Sequence, residues 1–125
     1  MNNFHKILLT LLFAVTSSSA IAVANPSYAE VRAAIENTLA KVEETKSAMD
    51  NGVDKDLLID MVTKARQLQK DIANNNLDVK RNQASAVLKK VRIALKSDNM
   101  DAAKTAIADA ISRYQEIKRL YAASH

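Results

Sequence analysis

The stretch MDAAKTAIADAISRYQEIKRLY, residues 100–121, decides the fold. Met100, Ala103, Ile107, Ala110, Tyr114, Ile117 and Tyr121 recur at alternating spacings of 3 and 4 without a break. That alternation averages close to the ~3.6 residues of a helical turn, so these side chains return to one side of a helix and form a stripe that must be buried. Three earlier segments carry the same pattern. Over residues 28–49 the stripe is Tyr28, Val31, Ile35, Thr38, Val42, Thr45 and Met49, widened by Leu39. Over residues 54–73 it is Leu58, Met61, Ala65, Leu68 and Ile72. Over residues 77–96 it is Leu77, Ala84, Val87, Leu88, Val91, Ala94 and Leu95.

The segments between these stripes read as helix stops and starts. Pro26 cannot sit inside a helix, and Ser27 with Glu30 three residues on has the form of a capping box. Asp50-Asn51-Gly52 ends the first helix, because Gly and Asn tolerate the left-handed conformation of a helix C-terminus. Asn74-Asn75-Asn76 is a polar turn, with Asn76 expected to cap the third helix, and Ser97-Asp98-Asn99 makes the last break. Connections this short force consecutive helices to lie antiparallel. The expected fold is all-α, an antiparallel up-down-up-down four-helix bundle, with helices of roughly 30 Å. Residues 49–54 and 95–101 resemble each other, an echo for which shared turn chemistry is the favoured reading and an internal duplication the alternative.

The chain has 125 residues, and its first 24 read as a secretory leader. Lys6 supplies a positive charge, residues 7–15 are apolar apart from Thr10, and small residues follow. Spanning a bilayer takes about 20 apolar residues, so this run is too short for an anchor. Ala22-Val23-Ala24 places the cleavage before Asn25, with Ala20-Ile21-Ala22 as the alternative. The expected protein is periplasmic or secreted, with residues 25–125 as a single domain. Lys6 is the leader's only formal charge, so cleavage lowers the balance from +4 to +3, too mild to imply nucleic acid. There is no Cys, so stability must come from helix packing, and a monomer is expected.

Absent residue types exclude most catalysis. The only histidines are His5, in the leader, and His125, at the end, so no nucleophile can pair with a structured imidazole. The Glu-x-x-His pairs of di-iron bundles and the Cys-x-x-Cys-His of covalent haem are missing, and Gly52 and Pro26 are the only residues of their types. The expectation is a non-enzyme. Two surfaces remain as candidates. The bundle topology would gather Asp50, Asp54, Asp98 and Asp101 at one pole with Met49 and Met100, where carboxylates suit Ca²⁺ or Mn²⁺ and thioethers suit Cu(I). Caps and core filler account for the same residues. The third helix has no acidic residue between Asp78 and Asp98, while Arg81, Lys89, Arg92 and Lys96 share a face with Ser85. That basic stripe would dock an anionic surface or an acidic envelope partner.

Residues 48–65, with Asp56-Leu57-Leu58, and residues 86–111, where Ala94-Leu95-Lys96-Ser97-Asp98-Asn99 joins two Ala-rich helices, resemble the small metal-binding protein family of periplasmic four-helix bundles. The resemblance implies the bundle fold and a divalent-metal module with no other cofactor. Its best-known members use helix-surface histidines, none of which occurs here, so no ligand position carries over. More distantly, Arg113-Tyr114 is similar to the ending of the soluble periplasmic b-type cytochrome bundle, but Tyr114, Gln115 and Glu116 stand where its histidine ligand would be sought. The expected function is thus an exported bundle with weak metal binding at the acidic pole or, alternatively, an envelope interaction module using the basic face.

Overall fold

The computed structural model describes residues 27–124, and the leader, its cleavage positions and His125 lie outside them. Four helices follow one another: α1 (Tyr28–Asp50), α2 (Lys55–Leu68), α3 (Asp78–Lys96) and α4 (Met100–Ala123). Two 3₁₀ turns, Gln69–Asp71 and Asn75–Leu77, connect α2 to α3. Among the described residues there is no strand, and the protein is an all-α four-helix fold.

The helices close into a ring in which α1 packs on α2 and α4, and α3 packs on the same two neighbours. Contacts between their ends fit the up-down-up-down order. The Tyr28 ring at the start of α1 stacks on Tyr121 near the end of α4, with centroids 5.0 Å apart. Lys55 at the start of α2 meets Asp98 in the α3–α4 turn, and Arg81 in α3 reaches the Lys70 carbonyl beyond α2.

Most caps form where the residue chemistry places them. The Glu30 N–H donates to Ser27 Oγ at 3.1 Å and the Ser27 N–H donates back to Glu30 Oε1 at 2.9 Å, completing the capping box. Asp54 caps α2 and Asn99 caps α4. The α2–α3 connection differs from expectation. Asn74, not Asn76, provides the cap, accepting from the Asn76 N–H at 2.9 Å, because the chain enters α3 through a 3₁₀ turn that starts two residues earlier. The N-cap of α3 is consequently Leu77, which has no side-chain acceptor.

The echo between residues 49–54 and 95–101 is one of backbone geometry. In the first turn the Val53 N–H donates to the Ala48 carbonyl and Gly52 to Met49; in the second Asn99 donates to Ala94 and Asp98 to Leu95. Both are Schellman motifs. Each needs a left-handed residue, and Gly52 (φ 75°) and Asp98 (φ 57°) take that place. Aspartate tolerates this region better than most residues, so turn chemistry explains the likeness.

The expected stripes of α3 and α4 are buried, apart from Met100, which is 36% exposed at the first residue of its helix. In α1 the stripe is buried from Val31 to Met49, Ala34 joins it, and Tyr28 is 41% exposed. Thr38 and Thr45 are tolerated in the core because each hydroxyl donates at 2.7 Å to the carbonyl four residues back. The correction falls on α2. Its core residues are Leu58, Val62 and Ala65, continued past its end by Gln69 and Ile72, while Met61 and Leu68 lie half-buried at the flank. A small rotation of α2 turns Val62 inward and carries Gln69 with it, where the Tyr114 hydroxyl donates to Gln69 Oε1 at 3.4 Å.

Candidate functional site

Two aspartates of the acidic pole, Asp50 and Asp98, are paired with lysines. Asp98 accepts from Lys55 Nζ at 2.9 Å across the α2–α3/α4 contact, and Asp50 accepts from Lys46 Nζ at 3.0 Å. Asp54 is turned to its own helix, accepting from the Asp56 N–H at 3.1 Å. Asp101 lies exposed in the first turn of α4, where the helix dipole favours a negative charge. The hydrogen bond and charge of Asp98, with Asp56 and Asp54 behind it, raise the Lys55 pKa above its ordinary value. The cation among these aspartates is therefore an ammonium group, which the sequence pattern did not single out. Met49 is packed in the core and Met100 is exposed, so the two thioethers do not face a common site. Among the described residues, no three Asp, Glu, His or Cys side chains are grouped to hold a metal ion.

The basic face of α3 has the opposite character. Lys89 and Lys96 are exposed, and Arg81 and Arg92 are half-buried at its edge. Arg81 reaches Asp78 at 3.6 Å, the only ion pair formed by an α3 cation among the described residues. Lys80, Lys89, Lys90, Arg92 and Lys96 have no carboxylate within 4.0 Å among those residues. The cause is in the sequence: a helix pairs charges at spacings of three and four, and α3 has no acidic residue within that reach of Lys89, Lys90, Arg92 or Lys96.

Beside this basic stripe, on the outer side of α3, runs an apolar ridge that the charge pattern concealed. Val79 is 68% exposed and Ile93 54% exposed, with the exposed Ala86 midway between them. Seven-residue spacing keeps all three in one row that drifts by only about 20° per heptad. The signal was available as apolar residues out of register with the core stripe. Beside the row, Val87, Lys90 and Ala94 border an open groove of about 390 Å³ against Ala102, Thr105, Ala106 and Asp109 of α4.

A third polar cluster lies where α2 runs into its 3₁₀ turn. The Nε atoms of Arg66 and Arg81 are buried and have no hydrogen-bond partner. Burial pushes the Tyr114 phenol well above its ordinary pKa, against the opposing pull of the Arg66 and Arg81 guanidiniums. No protein-family model, curated protein or solved structure matches this chain.

Proposed function

We propose that this protein is an exported, non-catalytic binding module whose outer α3 face docks an acidic protein partner in the cell envelope. The observation that carries this reading is the row of unpaired cations, Lys89, Arg92 and Lys96, on a folded scaffold, with Lys90 at the groove beside it. Single exposed charges contribute little, ~1 kcal/mol or less each, but several of one sign on one face create a field that steers and orients a partner. The ridge of Val79, Ala86 and Ile93 adds apolar area that a protein partner would cover. A lipid surface is the poorer fit, because the face has no Phe or Trp to insert. Divalent-metal binding at the pole ranks lower, since Asp50, Asp54 and Asp98 are already engaged with lysines and backbone.

The test uses poly-L-glutamate as the acidic probe and isothermal titration of the chain beginning at Asn25. Binding is expected at low ionic strength, weakening as salt rises, and the double variant Lys89→Glu, Lys96→Glu should abolish it. Equal binding by that folded variant would overturn the reading, as would stronger binding of the wild type to phosphatidylglycerol vesicles.

A further inference from the structure

Among the described residues no other part of the chain covers the α3 ridge, and Val79, Ala86 and Ile93 are all exposed. At ~1.5 Å per residue the row runs about 20 Å along the helix. Ala86 stands at its centre, equally far in sequence from Val79 and Ile93. A row with that symmetry matches itself when reversed. A second α3 laid antiparallel sets Val79 against Ile93 at both ends and Ala86 against its own counterpart in the middle.

The residues flanking the row decide the direction. Asn82 and Gln83 lie beside its first half and Lys89 and Lys90 beside its second, and all four are exposed. Reversal brings Lys89 to the second copy's Asn82 and Lys90 to the second copy's Gln83, so each ammonium faces an amide oxygen to which it can donate. Lys96 comes close to the level of the second copy's Asp78, the one carboxylate of α3. Parallel pairing would instead set Lys89 beside the second copy's Lys90, a like-charge contact along the seam.

We propose that α3 pairs with α3 of a second copy, antiparallel about Ala86, to form a two-fold symmetric dimer. The small side chain at the centre lets the axes approach to the short end of the ~8–10 Å range of packed helices. One helix pair buries less than the ~1,200 Å² of a standard interface, so the association is weak and depends on concentration. The second copy covers the ridge while no partner is bound, and the two-fold axis leaves the basic stripes of both copies on one side of the seam. The dimer needs no acidic partner and does not depend on the docking reading.

The experiment is sedimentation equilibrium of the chain beginning at Asn25, from micromolar to millimolar concentration and without poly-L-glutamate. The mass should rise from monomer toward dimer. The double variant Val79→Gln, Ile93→Gln removes the apolar ends of the row without adding charge, and should raise the dimer dissociation constant by about tenfold or more. Leu57→Gln, at an exposed apolar site on α2, should leave it unchanged. The chain has no Cys, so introduced thiols read the register. Ala86→Cys lies on the two-fold axis, where the paired Cα atoms come within the ~4.4–6.8 Å that a disulfide spans, and under oxidised glutathione it should form linked dimers about tenfold faster than Ala40→Cys on the exposed side of α1. Val79→Cys should link to Ile93→Cys and not to itself. Linking of Val79→Cys to itself as fast as Ala86→Cys would overturn the antiparallel pairing. A monomer at millimolar concentration, self-association unchanged in Val79→Gln, Ile93→Gln, or Ala86→Cys linking no faster than Ala40→Cys would each overturn the dimer.

Discussion

Helices α1 and α3 each bury an apolar stripe against α2 and α4, and they treat their surface charges in opposite ways. On α1 every cation has an acid one turn away: Arg32 with Glu36, Lys41 with Glu44, and Lys46 with Asp50. On α3 the residues one turn from Lys89, Arg92 and Lys96 are neutral or cationic. An i,i+4 pair stabilises a helix by about 0.3–0.5 kcal/mol, and a like-charged pair costs a similar amount. Surface charge therefore supports α1 and opposes α3, although both belong to one fold. A face that opposes its own helix invites an explanation outside the helix, and an acidic partner provides one.

The comparison sharpens first in the core, where the two helices should behave alike. Ile35→Ala in α1 and Leu88→Ala in α3 remove fully buried side chains, and each should cost about 2–5 kcal/mol in urea unfolding. A much smaller loss in α3 would mean that its packing, and not its charge, sets it apart. The two Schellman turns provide the next test. Gly52→Ala meets no atom within 4 Å, so its expected cost of about 1–2 kcal/mol is backbone strain alone. Asp98→Gly relieves the same strain but loses the contact with Lys55, and should change stability by less than Gly52→Ala does.

Surface charge gives smaller effects of opposite sign. Lys89→Glu in α3 places an acid one turn from Arg92 and should stabilise the protein by about 0.5 kcal/mol, whereas Lys41→Glu in α1 breaks a pair and should destabilise it by a similar amount. Effects of the same sign would break the comparison. The smallest effect belongs to the acidic pole. Millimolar Ca²⁺ should raise the melting temperature of the wild type by about 1 °C or less, and by more in Lys55→Met, where the ammonium no longer sits among the aspartates. A large shift in the wild type would restore the metal reading.

What the sequence made legible follows from the range of the interactions involved. The stripes of α3 and α4 and the capping box at Ser27 depend on residues a few positions apart, and their periodicity is strong. The stripe of α2 misled because Met61 and Val62 are both apolar neighbours, and only the packing partners decide which turns inward. Gln69 reads as a surface residue until Tyr114, 45 positions later, donates to it. The exposure of Lys89 and Lys96 was readable from the charge run. Lys55 at the pole was not, because its contact with Asp98 arises where separate helices meet.

The central claim is that α3 carries the working surface, and a residue-resolved titration tests it most directly. Backbone amide shifts of the labelled chain beginning at Asn25 are followed as poly-L-glutamate is added at low salt. The account predicts changes concentrated on the exposed residues of α3, led by Lys89, Lys90, Ile93 and Lys96, with α1 unmoved. Changes of equal size on α1, or none on α3, would contradict it.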